Sequence, residues 1–178
     1  MSETACATTP IPATLTGLTG LPSARRLLRD AFGSFPSGVT ALAAVIDGEP
    51  VGIAASSFTS VSLDPPLVSV CVALTSTTWP LLSQASHLGV SVLGEDHHEA
   101  GRRLAGRAAD RFRGLTWQTT GQGAILLDDA SAWFSTTVHQ RVVAGDHEIV
   151  VLAVDDFAHN TEVAPLVFHN SGFRRLQR

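Results

Sequence analysis

From Val39 to Leu176 the chain is a succession of short apolar runs cut at close intervals by turn residues, and this rhythm constrains the fold most. Val39–Ile46 is closed by Asp47-Gly48, a dipeptide that accepts φ > 0 at both central positions of a tight hairpin. Val51–Ala55 would pair back against it. Leu67–Leu74 (LVSVCVAL) is nearly continuous, which predicts a strand buried on both faces, with Cys71 as a small buried hydrophobe. Leu88–Leu93 is a further strand. Ser131–Val143 and Glu148–Phe157 are two long strands joined by Ala144-Gly145-Asp146-His147, and Pro165–His169 and Phe173–Leu176 close the series. Many short strands predict a mainly β protein, an antiparallel barrel or sandwich. The helical stretches are too few for a parallel α/β sheet.

Two helices are expected. Ser23 would cap the first, with Leu27, Leu28, Ala31 and Phe32 as its apolar face, before Gly33–Gly38 (GSFPSG) breaks it. Asp96 would cap the second, with Glu99 three residues on and Leu104, Ala105 and Ala108 as its apolar side. Residues 1–22, rich in Thr, Pro, Ala and Gly, read as a flexible extension, leaving 23–178 as a single domain. At 178 residues and 44% hydrophobic, such a domain needs no disulfide or metal staple.

Composition removes several chemistries. All 12 basic residues are Arg and none is Lys, so Schiff-base catalysis, a lysine-bearing phosphate loop and a Ser–Lys nucleophile are excluded. Tyr is also absent, which removes tyrosine acid–base chemistry. The net charge of −4 offers no basic stripe, so no nucleic-acid partner is expected. Cys6 and Cys71 form neither a disulfide framework nor a zinc cluster. No apolar run nears the ~18 residues of a membrane span, and Glu3 begins a segment unlike a secretory signal. The expectation is a cytoplasmic protein without membrane contact. Asp96-His97-His98-Glu99 diverge by about 100° per residue on a helix, so this cluster reads as a solvated helix start and no metal is expected. Neither G-x-G-x-x-G nor G-x-S-x-G occurs.

Two segments admit a functional reading beside a structural one. Gly52–Ser62 (GIAASSFTSVS) sets small residues and hydroxyls around Phe58; it is either a Ser-rich loop leading into Asp64-Pro65-Pro66 or a surface where a ligand meets backbone and neutral donors. Gly145-Asp146-His147 is either a plain tight turn or a turn that fixes a His toward a ligand. Arg102, Arg103, Arg107 and Arg111 either coat a helix or meet a phosphate.

These segments together resemble the flavin reductase-like domain family, the NAD(P)H:flavin oxidoreductases of two-component monooxygenases. The matching stretches are Phe35–Thr40 (FPSGVT), Gly52–Leu67 (GIAASSFTSVSLDPPL), Val92-Leu93, Arg111-Phe112 and Ala144–His147 (AGDH), in the family's order over about residues 27–176. Within the family, the likeness is to reductases that feed monooxygenases of aromatic polyketide biosynthesis. The resemblance implies a split β-barrel, Greek-key-like, with a few short helices, an FMN or FAD cofactor and a homodimer. It implies that Gly38, Val39 and Thr40 lie beside the flavin. Ala55, Ser56 and Ser57 would meet its ring edge and ribityl chain, and Cys71, Val72 and Ala73 its isoalloxazine. Ser76 and Thr77 would meet phosphate, Phe112 would border the cofactor, and Gly145, Asp146 and His147 would form the nicotinamide site. The chain departs from the family at Ser56, where Asn is frequent; Ser is shorter but keeps a donor and an acceptor.

The implied activity is reduction of free flavin, FMN ahead of FAD, by hydride transfer from NADH or NADPH to flavin N5, with delivery to a partner monooxygenase. No protein acid or nucleophile is needed for that step, which suits a chain without Lys or Tyr. The alternatives are a non-catalytic flavin carrier or sensor, and an FMN-dependent oxidase of a small substrate. An intact G-D-H turn distinguishes the reductase from the carrier.

Overall fold

The computed structural model describes residues 24–106 and 110–176. The expected N-terminal extension, the Ser23 cap, Cys6, Arg107 and Ala108 lie outside these residues. In chain order the elements are α1 (Ala24–Gly33), β1 (Ser37–Gly38), β2 (Thr40–Ile46), β3 (Glu49–Ala55), β4 (Thr59–Leu63) and β5 (Pro66–Ala73). There follow α2 (Trp79–Leu82), β6 (Leu88–Val92), α3 (His98–Ala105), β7 (Trp117–Thr119) and β8 (Ile125–Leu127). The chain closes with β9 (Ala132–Ala144), β10 (His147–His159), β11 (Val167–His169) and β12 (Gly172–Arg174). The mainly β expectation holds, and every strand pairing is antiparallel.

One seven-stranded sheet, ordered β3-β2-β6-β9-β10-β5-β4, carries the molecule. Its two edge strands, β3 and β4, are consecutive in sequence and separated only by Ser56-Ser57-Phe58. Three residues cannot span a flat sheet of seven strands spaced about 4.8 Å apart. The sheet therefore curls until its edges meet, and it becomes a barrel. No ladder joins β3 to β5 across the seam; the side chain of Ser57 bridges it instead, donating to the Cys71 carbonyl (3.1 Å) and accepting from the Cys71 amide (2.9 Å). Of the barrel and sandwich that the strand pattern left open, the structure is a barrel, and it is the split barrel that the family resemblance implies.

The interior is aliphatic. Leu42, Val70, Leu88, Val90, Val150 and Leu152 are fully buried, and Phe58 stacks on Phe134 with centroids 5.8 Å apart. Each such Leu or Val contributes roughly 1.5–3 kcal/mol through burial. Buried hydroxyls are satisfied: Thr136 donates to the Leu88 carbonyl (2.9 Å) and Thr40 to that of Ala55 (3.1 Å). A second cluster, Val39, Leu93, Leu104, Leu127 and Leu166, packs α3 and the small sheet β1-β11-β12 against the barrel wall.

Several local expectations are corrected. β5 is buried on one face only: Val68, Val70 and Val72 point inward, while Cys71 is exposed. The strand lies at the seam, where no described residue covers its outer face at Cys71. Gly52–Ser62 is two strands and a three-residue connection rather than a loop, because β4 pairs with β5. In α1 only Ala24 is buried; Leu27 and Phe32 are exposed, so its apolar face meets no core among the described residues. His97, not Asp96, occupies the N-cap of α3, and Asp96 pairs with Arg175 instead. Helix α2 and hairpin β7–β8 carry no strong periodic signal and were not expected.

Candidate active site at the barrel seam

Where the seam fails to close, the barrel opens into a cleft of about 630 Å³. One wall is the end of β3 and the connection after it, Ile53–Ser57; the facing wall is Cys71–Ala73 of β5. β3 is laddered only to β2, and β5 loses its β4 partner beyond Ser69. Edge strands of this kind present backbone donors and acceptors that have no partner strand. Leu104, Ala105 and Gly106 at the end of α3 form the apolar side, and Thr75–Thr78 with Arg111 form the polar end. His147 stands at the rim. Its volume falls in the range of small-molecule sites, and its lining mixes a flat apolar wall with a few converging polar groups.

Of the residues singled out from the sequence, this cleft gathers Ala55, Ser56, Ser57, Cys71, Val72, Ala73, Ser76, Thr77 and His147. Others stand outside it. Val39 lines a smaller apolar notch with Ala54, Ala55, Phe168 and Phe173, which adjoins the cleft through Ala55 and Ser56. Thr40 is buried, and its hydroxyl holds the Ala55 carbonyl from inside the barrel. Gly38 pairs with Val167 in the small sheet. Phe112 borders a neighbouring groove and packs edge-on against Trp117. Gly145 and Asp146 form the turn that carries His147 and do not line the cleft themselves.

That turn is tightly organised. Gly145 has φ +66° at the first of two central residues, a conformation that glycine adopts without strain. Asp146 accepts a contact from His147 Nδ1 at 2.7 Å, which leaves Nε2 as the ring nitrogen open to a ligand. The hydrogen bond and charge of His147 hold the Asp146 carboxyl below its ordinary value. The Asp146 carbonyl also accepts from the Leu74 amide (3.0 Å), tying the turn to the start of the polar loop.

Arg111 is the site residue that the sequence left undecided. Its Nη1 donates to the Gly52 carbonyl and to Thr78 Oγ1, both at 2.8 Å, and it stands between the cleft and a second groove of about 810 Å³. Arg102 lies over Phe173 and Arg103 pairs with Glu99, so among the described residues Arg111 alone of that arginine group reaches the cleft. Spacing gives no sign of this, since Arg111 meets Thr78 across 33 residues. The Asp96–Glu99 cluster lies elsewhere: His97 accepts from the Gly94 amide (3.2 Å), and burial lowers its pKa against the opposing pull of Asp129 and Asp96. Among the described residues no group of three His, Cys, Asp or Glu is placed to hold a metal ion.

A curled antiparallel barrel with a ligand-sized cleft at its unladdered seam, a hydroxyl-rich end and a His-bearing hairpin at the rim defines a flavin-reductase type of architecture. The chain belongs to the flavin reductase like domain family, which matches residues 32–177. It is 43% identical over 133 residues to the reductase component of a flavin-dependent trigonelline monooxygenase from Acinetobacter baylyi, covering 74% of this chain and 43% of that protein. It is 41% identical over 152 residues to an actinorhodin polyketide dimerase of Streptomyces coelicolor, covering 84% of this chain and 85% of that one. Among solved structures, the NADH:FAD oxidoreductase SgcE6 of Streptomyces globisporus, in complex with NAD and FAD fragments, superimposes with a TM-score of 0.82 at 35% identity. That match covers 88% of this chain and 94% of the other. The chain spans about half the length of some curated relatives it matches.

Proposed function

We propose that this protein catalyses NAD(P)H-dependent reduction of free flavin and hands the reduced flavin to a partner monooxygenase. The observation that carries the reading is the convergence of the seam walls, the Thr75–Thr78 loop and His147 on one cleft. The residues fit a flavin and a nicotinamide. Small side chains at Ala54, Ala55 and Ala73 let a planar ring lie against backbone. Ser76, Thr77 and Arg111 supply neutral and cationic donors suited to phosphate, in a chain that has no lysine. When bound, the two cofactors supply the hydride chemistry themselves.

The chain's part is alignment and exclusion of water. Cys71, Val72 and Ala73 form the floor, and Ser56 and Ser57 the edge, with Ser57 held by its two bonds to Cys71. Thr40 acts from behind by fixing the Ala55 carbonyl, and Val39 and Gly38 support the same corner rather than touching the cleft. His147, oriented by Asp146, presents Nε2 to the nicotinamide and needs to break no bond. Arg111 holds the end of the polar loop and sets its charge toward a phosphate. Replacing Arg111 with Gln should weaken flavin binding roughly 10–100-fold, the worth of charge-assisted hydrogen bonds, as read by flavin fluorescence quenching.

FMN is the expected flavin. A second reading, FAD, is favoured by the groove beyond Arg111, whose aromatic and polar lining (Phe112, Trp117, Asp110) offers room for an adenylate. NADH is the expected donor. A homodimer is supported by the apolar side chains that β4, β9 and β10 leave exposed, Leu63, Val143 and Phe157 among them. No helix among the described residues is long and apolar enough to cross a membrane, and a cytoplasmic location is part of the same proposal. The carrier alternative makes no use of the hairpin His.

The test is anaerobic mixing of purified protein with excess FMN and NADH, repeated with FAD and NADPH. Rapid, protein-dependent bleaching of the flavin band is the expected result. Binding of flavin without bleaching would replace the reductase by a carrier, and bleaching by a small organic substrate alone would make it an oxidase.

A further inference from the structure

We propose that Glu148 is a positioning residue that sets the span between His147 and the hydroxyl loop, and thereby the register of the nicotinamide cofactor across the cleft; the proposal rests on the reduction reading above. Successive strand residues face opposite ways, so β10 sends His147 to the rim and Glu148 inward. A buried carboxylate is costly unless it is paired and hydrogen-bonded. Glu148 accepts from the indole Nε1 of Trp79 at 2.8 Å and from Arg141 Nη2 at 2.9 Å, and the Arg141 guanidinium lies 5.7 Å from the Trp79 ring. Arg141 and Trp79 together hold the Glu148 carboxyl below its ordinary value.

Trp79 is itself bound to the polar loop, because its amide donates to Ser76 Oγ at 3.1 Å. The loop's other end is tied by the Leu74 amide to the Asp146 carbonyl. The loop is thus slung between two points of one hairpin, one on each side of His147. A change at either anchor alters the distance between the phosphate-facing hydroxyls and the His that faces the nicotinamide. Glu148 does not line the cleft, and its effect passes through Trp79 and His147.

The experiment compares Trp79→Phe and Glu148→Gln, alone and combined with His147→Ala, in steady-state anaerobic flavin reduction. Trp79→Phe removes the indole N–H together with part of the buried ring but leaves the Arg141–Glu148 pair, so it tests the strut even if Glu148→Gln folds poorly. The expected result is a rise in KM for NADH of about fivefold or more, larger than any rise in KM for flavin, with kcat at saturation held within about twofold. In the His147→Ala background the same substitutions should add less than about twofold. An unchanged KM for NADH, or full additivity with His147→Ala, overturns the proposal and leaves Glu148 a packing residue. A second readout is independent of turnover: the imidazole NMR signals of His147 should shift in Trp79→Phe, and unmoved signals also overturn it. Failure of the wild-type protein to reduce flavin defeats the reductase reading instead, while the imidazole signals still decide the coupling.

Discussion

Two of the molecule's two-residue hairpins, the β2–β3 and β9–β10 turns, are put to opposite use. Asp47-Gly48 joins β2 to β3 with φ of +52° and +84°, the pattern of a primed turn that matches the strand twist. Among the described residues, Asp47 and Gly48 line neither the cleft nor the groove beside it. Gly145-Asp146 joins β9 to β10 with positive φ at Gly145 alone. There the Asp carboxylate holds a His, the Asp carbonyl holds Leu74, and the next residue is the buried Glu148. Equal loop length hides this difference. What separates the turns is where the strands end: the first projects from the barrel wall, whereas the second stands over the open seam, where side chains have a ligand-sized space to face.

The largest effect that should divide them is at His147. His147→Ala is expected to raise KM for NADH roughly tenfold, the loss of one hydrogen bond of about 1.4 kcal/mol, while flavin affinity stays within about twofold. Equal loss of flavin binding would show that the turn supports the cleft generally and would erase the distinction.

A matched pair comes next. An added Cβ meets nothing within 4 Å at either Gly48 or Gly145, so Gly48→Ala and Gly145→Ala both act through their positive φ alone. Each should cost about 1 kcal/mol of stability in urea melts. Only Gly145→Ala should also raise KM for NADH, by a few-fold, and identical kinetics for both would refute the functional contrast.

The smallest effect is a pH dependence. The folded pKa of Glu148 lies below its ordinary 4.5, so the ion pair stabilises the fold above that value and its contribution is lost as pH falls through the lowered one. The melting temperatures of wild type and Glu148→Gln, separated at pH 7, should therefore converge in acid. A constant gap down to pH 3 would mean that Glu148 is held by packing alone.

Much of the architecture was legible because its signals are local. Asp47-Gly48 and Gly145-Asp146 mark turns by backbone chemistry, and the Val-rich runs mark strands by composition. The two long strands of the central hairpin were placed within a residue or two of β9 and β10. The candidate site was legible mainly through resemblance, which picked out the Ala55–Ser57, Cys71–Ala73 and Ser76-Thr77 segments that the fold brings to one cleft. Cys71 shows where local reasoning fails. An apolar run looks the same in a central strand and in one lying at an unclosed seam, and only the partner strand decides whether its outer face is covered.

The sequence by itself determined the antiparallel β class, the positions of the turns and the absence of lysine and tyrosine chemistry. These depend on φ preferences, period-two patterning and the residue inventory, none of which needs distant contacts. Only the tertiary structure decided that the sheet curls on a three-residue connection, that its seam stays unladdered, that Arg111 reaches the cleft and that Trp79 reaches Glu148 behind it. Arg111 meets Thr78 across 33 residues, and Trp79 meets Glu148 across 69. Contacts at such separations are fixed by how strands pair and close, and a side chain records its own preferences but not the partner that closure will bring to it.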